Sequence, residues 1–260
     1  MEKVVKKSFL KVLLFVAAFH VFLLAPAVTA RAADPSLNTT KIYSYVGGKT
    51  KLKLSETNGQ KVTWKSSNKK IATVDSKGNV KGKKTGTCTI TATCSKKKYK
   101  CTVKVLSDKQ YLKTWCKTLG KEIKKGTKSP YEQVIIAAMM ISGNLKYGKS
   151  SSAVDALKKG KGTCVSGNKL LVELLKAMGY SSKIRFAAKD KMSRYPSGIW
   201  FGSDHYNVKV TIKKKTYYVD ATPGGVVYLS TSKKPLFNAL NTGEGWWILQ
   251  NDLPGQTQTN

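Results

Sequence analysis

The spacing of apolar residues changes near residue 107, and this change limits the folds available to the chain. Up to residue 106, apolar and polar residues alternate in short runs such as Cys88–Thr93, and turn sequences such as Asn58-Gly59 separate the runs. Several short alternating runs at this spacing are typical of a β-sandwich. We therefore predict an all-β sandwich over residues 35–106 and a second domain over residues 107–260.

The second domain begins with helical patterns and ends with strand patterns. Helical spacing of apolar residues predicts helices at 109–125, at 134–145 and from Cys164 to a glycine stop at Gly179. Alternation predicts strands at 183–188, 205–212 and 216–220. Helices followed by antiparallel strands predict an α+β domain in which the helices pack on the sheet.

The first 32 residues have the pattern of a secretory leader. An apolar run from Val12 to Leu24 follows four lysines and precedes two candidate cleavage sites, after Ala30 and after Ala32. We predict a signal peptide over residues 1–32 and a mature protein that is secreted or bound to the cell surface or wall, without a stable membrane span. The alternative is an uncleaved membrane anchor, for which the apolar run is short.

The charge of the chain favours polyanionic surroundings. The 47 Lys and Arg residues exceed the 14 Asp and Glu residues by 33, and removing residues 1–32 takes away five basic residues and one acidic residue, which leaves +29. We predict anionic wall polymers as partners of the basic surface. We predict no nucleic acid partner, because no basic motif interleaved with aromatic residues is present. The alternative is that lysine only solvates every exposed face.

The five cysteines are an odd number for an exported protein, so at least one thiol stays unpaired. Cys164 is the natural candidate. By alternation, Cys88, Cys94 and Cys101 point into the sandwich. We expect one disulfide among them, in which either Cys94 or Cys88 could pair with Cys101. The alternative is a set of buried free thiols, and the sequence leaves the connectivity open, Cys116 included.

General-base chemistry in the second domain depends on one imidazole, because His205 is the only histidine after the leader. Cys164 opens a predicted helix, whose N-terminus favours a thiolate, and Asp220 ends a predicted strand. An imidazole beside a thiol acts as a base, and a carboxylate can fix its tautomer. We predict a catalytic site made of Cys164, His205 and Asp220, against the alternative of a packed cysteine, a satisfied histidine and a turn aspartate.

The loop between the last two predicted strands decides whether this site is geometrically possible. With a loop of two or four residues, opposed positions sum to 427, and Asn207 then faces Asp220. His205 and Asp220 become diagonal neighbours on one face, roughly 7–8 Å apart at the backbone. A three-residue loop places them on opposite faces. Asp204 is a rival for the orienting role, but adjacent strand residues point to opposite faces.

Three blocks of the first domain resemble the bacterial immunoglobulin-like group 2 domain. They begin at Val62, Ile71 and Lys84, and the first of them contains Trp64, which matches the core tryptophan of that family. The resemblance implies an immunoglobulin-like sandwich that serves as a spacer or adhesive module on an exported protein. It supplies no catalytic residue.

Three blocks of the second domain resemble, in order, the transglutaminase-like, papain-related superfamily. They span 160–180, 204–210 and 215–223. The resemblance implies that Cys164 is the nucleophile, that His205 is the base and then the acid, and that Asp220 orients the imidazole. The chain departs from the superfamily pattern at two places. Tyr206 stands where a tryptophan often follows the histidine, with Trp200 close by. The segment Met192–Asp204 matches no motif. For the oxyanion we expect the backbone N–H of Cys164 and a side chain, Asn144 or Tyr147.

These features predict an enzyme in which the cysteine attacks a carboxamide or peptide carbonyl of a protein or peptide substrate, with cell-wall peptides among the candidates. The acyl group passes to water in a peptidase or amidase, or to a lysine amine in a cross-linking enzyme, and the sequence leaves both open. We predict no cofactor and no metal. The alternative is a non-catalytic adhesive or wall-binding protein that retains a residual triad.

Overall fold

The computed structural model of the 260-residue chain describes residues 34–187, 205–225 and 227–231, together with the backbone of 247–249. The predicted leader and the segment Met192–Asp204 lie outside these ranges. The chain divides into two compact units, with the boundary between Tyr111 and Leu112, inside the first turn of a helix (Asp108–Gly126) that belongs mainly to the second unit.

The first unit consists of strands that form an immunoglobulin-like sandwich, as the sequence predicts. Its strands are β1 (Ser36–Leu37), β2 (Lys41–Tyr45), β3 (Lys49–Lys51), β4 (Leu54–Ser55), β5 (Thr63–Ser66), β6 (Ala72–Val74), β7 (Asn79–Gly82), β8 (Gly86–Cys94) and β9 (Lys97–Leu106). One sheet has the order β2-β9-β8-β5 and the other β3-β7-β6, while β1 pairs with β4. Alternate residues such as Ile42, Ile90 and Val103 are buried between the sheets, because side chains on a strand point to opposite faces in turn.

The predicted disulfide in the sandwich is wrong, because all five cysteines are free thiols. Strands β8 and β9 pair Cys94 with Lys97 and Ile90 with Cys101. Cys94 therefore lies four residues along the strand, about 13 Å, from the position opposite Cys101. The thiols behave as small buried hydrophobes. Burial, with a smaller contribution from Cys88, raises the pKa of Cys101 to about 11.

The second unit has helices packed on a sheet, which confirms the α+β prediction. Its helices are α1 (Asp108–Gly126), α2 (Pro130–Asn144), α3 (Ala153–Lys159) and α4 (Cys164–Ala177). Its strands are β10 (Lys146–Tyr147), β11 (Lys161–Gly162), β12 (Ser182–Phe186), β13 (Tyr206–Ile212), β14 (Lys215–Val219), β15 (Val227–Ser230) and β16 (Trp247–Leu249). The main sheet has the order β12-β13-β14-β15-β16, antiparallel except for the last pair.

The core of this unit lies between the helices and one face of the sheet. Helix α2 is apolar on nearly every side and begins at Ser129, whose side chain accepts a hydrogen bond from the N–H of Glu132. Helix α4 contributes Leu171 and Leu175 to the same cluster, and the sheet contributes Val208 and Val219. In the ranges that the structure describes, no helix is both long enough and apolar enough to cross a membrane.

Candidate active site

The hairpin of β13 and β14 has the register that the predicted catalytic site requires. The strands are joined through Lys213 and Lys214, and Ile212 pairs with Lys215 while Val208 pairs with Val219, so opposed positions sum to 427. Both loop residues have positive φ, 48° and 67°, as a two-residue type I′ turn requires. The even-length loop that the predicted site requires is present.

This register brings His205 and Asp220 into direct contact. Nε2 of His205 lies 2.5 Å from Oδ2 of Asp220, and each residue is only 3% exposed. The other carboxylate oxygen, Oδ1, accepts hydrogen bonds from the backbone N–H of Thr222 at 2.8 Å and from its hydroxyl at 2.7 Å. The carboxylate is thereby fixed in rotation, with Oδ2 directed at the imidazole.

The thiol of Cys164 lies at the other side of the imidazole. Cys164 is the first residue of α4, and Thr163 caps that helix by accepting a hydrogen bond from the N–H of Ser166. The thiol and His205 interact by a hydrogen bond. Because Nε2 faces Asp220, Nδ1 is the ring nitrogen left for the thiol. Cys164 is half-buried, whereas the other four cysteines are buried.

The site favours the protonated form of the imidazole. Burial alone lowers the pKa of His205, but the hydrogen bonds to Asp220 and Cys164, together with the negative charges of these groups, raise it to about 9. His205 is therefore an imidazolium at neutral pH. The cation and the N-terminus of α4 give Cys164 the electropositive, partly exposed surroundings that are typical of reactive cysteines.

Asn168 joins the three predicted residues to the backbone around them. It lies one turn after Cys164 on α4 and is completely buried. Its Nδ2 lies 2.9 Å from the carbonyl oxygen of Cys164, 2.8 Å from that of Tyr206 and 2.9 Å from Oδ1 of Asp220. Its Oδ1 accepts a hydrogen bond from the N–H of Ala221 at 2.9 Å. One amide thus contacts the helix of the cysteine, the strand of the histidine and the aspartate.

Gly167 permits the close approach of α4 that these hydrogen bonds need. A Cβ atom at this position would lie 2.8 Å from the carbonyl oxygen of Ala221 and 2.8 Å from Cδ of Pro223. Both contacts are closer than side chains tolerate, and the first is with backbone that cannot rotate away. Asn168 was not predicted as a site residue from the sequence. The available signal was a polar residue on the buried, leucine-lined face of a helix.

The comparisons with known proteins give each unit a family. Residues 46–105 match the model of the bacterial Ig-like domain (group 2), and residues 117–221 match that of the transglutaminase-like superfamily. The chain carries a bacterial Ig-like domain followed by a transglutaminase-like domain. Cys164, His205 and Asp220 all lie within the transglutaminase-like match, and no curated protein matches the chain.

Solved structures overlap with each domain only in part. Domains 4 and 5 of the S-layer protein SbsC are 24% identical over 28% of this chain and 51% of theirs, with a TM-score of 0.25. A candidate cysteine protease from Cytophaga hutchinsonii is 14% identical over 62% of this chain and 64% of its own, with a TM-score of 0.35. A candidate protease from Parabacteroides distasonis is 18% identical over 55% of this chain and 35% of its own, with a TM-score of 0.31. The chain thus spans about half of the first of these structures, and the family models carry the assignment.

The structure describes both side chains that were predicted as oxyanion donors, Asn144 and Tyr147. The side-chain amide of Asn144 donates to the carbonyl oxygen of Met140, 2.7 Å away in its own helix. Tyr147 is 66% exposed on β10, whose partner β11 ends two residues before Cys164. Tyr147 and the backbone N–H of Cys164 therefore stay as the predicted donors.

Tyr206, which stands where tryptophan is common in this superfamily, forms an aromatic pair beside the histidine. Its ring centroid lies 5.0 Å from that of Phe186 on β12, a distance typical of favourable ring pairs. The rival Asp204 and the nearby Trp200 lie outside the described residues. Among the residues that the structure does describe, no group of three or more His, Cys, Asp and Glu side chains could hold a metal ion.

Proposed function

We propose that the transglutaminase-like domain catalyses acyl transfer through a thioester on Cys164, with a carboxamide or peptide carbonyl as the acyl donor. The observation that carries the proposal is the contact series Cys164–His205–Asp220, which combines a half-buried thiol at a helix N-terminus with an imidazole held by a buried carboxylate. This arrangement supplies a nucleophile, a proton carrier and a group that orients the carrier.

In the first half of the reaction, the Cys164 thiolate attacks the carbonyl carbon and the carbonyl electron pair moves onto oxygen. The tetrahedral intermediate collapses as the carbon–nitrogen bond breaks. The His205 imidazolium gives its Nδ1 proton to the departing nitrogen, which leaves as ammonia or an amine. The products of this half are a thioester on Cys164 and a neutral imidazole.

In the second half, His205 acts as a base. It removes a proton from water or from a primary amine as that acceptor attacks the thioester carbon. The carbon–sulfur bond breaks, and the Cys164 thiolate and the His205 imidazolium are restored. With water the net reaction is hydrolysis, and with an amine it is formation of a new amide. We propose protein or peptide substrates, cell-wall peptides among them, and action outside the cell, on the support of the leader-like N-terminus and the Ig-like domain.

The experiment that tests this proposal labels the thiol and then measures turnover. Purified full-length protein is treated with iodoacetamide across a pH series, and peptide mapping locates the label. We expect Cys164 to be alkylated well below the unperturbed thiol pKa of about 8.5, and we expect this fast reaction to be lost in His205→Ala. Carboxamide peptides are then incubated with a biotinylated primary amine, and mass spectrometry separates hydrolysed from amine-linked product.

Cys164→Ala is the matched control, since it removes one sulfur atom at a half-buried position. Product formation by this variant at the wild-type rate would refute the proposal. Alkylation of Cys164 that is slow at neutral pH and independent of His205 would instead favour the non-catalytic alternative, an adhesive protein with a residual triad.

A further inference from the structure

One exposed sheet face of the Ig-like domain has an unusually uniform composition. The outward positions of β2, β5, β8 and β9 carry five lysines, Lys41, Lys65, Lys98, Lys100 and Lys104. Strand β8 adds a threonine at every second position from 87 to 93, and β9 adds a threonine at 102. We call this surface the lysine–threonine face. The acidic residues of the described sandwich are at positions 34, 56 and 75, all outside these four strands.

The register arranges these side chains in columns. Thr91 pairs with Lys65 on one side and with Lys100 on the other, so lysines flank the threonine column of β8. Thr87 pairs with Lys104, which in turn pairs with Tyr43 on β2. Residues on one face of a strand are about 7 Å apart and neighbouring strands about 4.8 Å apart. Lys98 to Lys104 therefore forms one side of a cationic strip about 20 Å long.

A tyrosine at the edge of the face is consistent with a positive potential there. Tyr43 is 38% exposed, and its ring lies 5.1 Å from Nζ of Lys41. A hydrogen bond from Lys41, together with the charges of Lys41 and Lys104, lowers the pKa of the Tyr43 hydroxyl. The edge strand of the face thus lies beside the charges of two lysines.

We propose that the lysine–threonine face binds a linear phosphodiester polymer that lacks bases, of the kind represented by poly(glycerol phosphate). Lysine ammonium groups act as point charges toward phosphate oxygens, and threonine hydroxyl groups donate to the same oxygens. The aromatic residues of the face are Tyr43 and Tyr45 on the edge strand β2, and the ring of Tyr45 packs against that of Tyr111. The four strands thus carry no row of exposed rings on which bases could stack and no helix that enters a DNA groove.

This binding is independent of the acyl transfer proposed above, because it needs no reaction at Cys164. The positive charge of the Ig-like domain that matters for this binding lies on the lysine–threonine face, and its ligand is a phosphodiester polymer. If the acyl-transfer proposal fails, Cys164→Ala and wild type still bind the polymer equally.

The test measures binding of full-length protein to immobilised poly(glycerol phosphate) at several salt concentrations. Each phosphate contact with a single strand contributes about 0.7 to the salt slope, so five contacts predict a loss of about 100-fold in affinity between 50 and 200 mM salt. In the triple variant Lys98→Gln, Lys100→Gln and Lys104→Gln we expect at least a tenfold loss at 50 mM salt and a slope smaller by about 2.

The matched control places the same charge change on the other sheet of the sandwich. Lys49→Gln, Lys51→Gln and Lys81→Gln neutralise three exposed lysines on β3 and β7, and this triple should keep wild-type affinity within about twofold. Equal losses in the two triples would overturn the proposal and assign binding to net charge. Equal binding to polygalacturonate, or tighter binding to single-stranded DNA, would overturn the phosphodiester assignment.

Both triples are checked for folding by circular dichroism and for an unchanged alkylation rate at Cys164. If the first triple does not fold, Lys100→Gln and Lys51→Gln provide the same comparison with one charge each. Equal affinity of these two single variants would also refute the proposal.

Discussion

Removing the side chain of Asn168 should loosen the active site more than the loss of one polar group would suggest. In Asn168→Ala, the N–H of Ala221 loses its acceptor, and the carbonyl oxygens of Cys164 and Tyr206 lose a donor. An ordinary hydrogen bond contributes about 1 kcal/mol, and a buried polar group left without a partner costs about 1–3 kcal/mol. We expect the free energy of unfolding to fall by roughly 3–5 kcal/mol, measured by urea denaturation.

The same variant should also slow the chemistry at the thiol. Asn168 connects α4 to β13 and to Asp220, so its loss lets Cys164 and His205 move apart. We expect alkylation of Cys164 at pH 7 to slow at least tenfold, or about 1.4 kcal/mol. Asn144→Ala is the matched control, since its amide also donates to a carbonyl oxygen but only within α2. It should cost about 1 kcal/mol or less and leave the alkylation rate unchanged.

Asn168→Asp separates a positioning role from a packing role. The substitution keeps the acceptor for Ala221 but places a second carboxylate where Nδ2 lies 2.9 Å from Oδ1 of Asp220. Burial and the like charge raise the pKa of the new carboxyl above its unfolded value. Its destabilisation should therefore be small near pH 4 and increase as the pH rises through that higher pKa. The same pH dependence in Asn168→Asp and Asn168→Ala, or equal alkylation in Asn168→Ala and wild type, would refute the reasoning.

Three further predictions concern the same site. The pKa of His205 is about 9, so stability from its ion pair is complete below pH 6.5 and lost as the pH rises through 9. Wild type should lose up to about 3 kcal/mol over that range relative to His205→Gln, by urea denaturation at each pH. Inserting one glycine between Lys213 and Lys214 makes a three-residue loop, which should abolish fast alkylation at Cys164. Asn-Gly in place of the two lysines keeps the two-residue turn and should preserve fast alkylation. Fast alkylation in the insertion variant would contradict the assigned register. Gly167→Ala should be destabilised and slow to alkylate because its Cβ meets the carbonyl oxygen of Ala221, whereas Gly143→Ala, with nothing within 4 Å of its Cβ, should be as stable as wild type or more so.

The sequence predicted the parts of the site that depend on local rules. Alternation placed strands at 205–212 and 216–220 but left the length of their loop open, and the two-residue turn at Lys213 and Lys214 then leaves one register. The helix start at Cys164 followed from the apolar pattern after it. The disulfide prediction failed because it depended on the register of β8 and β9, in which Cys94 pairs with Lys97 and Cys88 with Val103, so neither lies opposite Cys101. Alternation predicts on which face of the sheet a side chain lies, but it does not predict which residue of the neighbouring strand lies opposite.

Elements that depend on tertiary contacts were not predicted. Helix α3 has seven residues, too few for a clear apolar period. Strands β10 and β11 have two residues each and pair only because α3 returns the chain beside the end of α2. The role of Asn168 depends on β13 and Asp220, which are 38 and 52 residues away in sequence. The sequence shows that the amide of Asn168 lies on the buried face of α4, but it does not show which residues that amide contacts.

The carboxylate of Asp220 explains why the residues after β14 matter to the chemistry. Its Oδ1 accepts from Asn168 and from both donors of Thr222, so this oxygen is fully used. Only Oδ2 is left to face the imidazole, and three bonds on Oδ1 hold it there. The threonine two residues after the aspartate therefore does more than end a strand, because its hydroxyl fixes the rotation of the carboxylate. A valine in its place would have the same shape but would remove one of the three bonds on Oδ1, and it would weaken the hold of Asp220 on His205 without removing either residue.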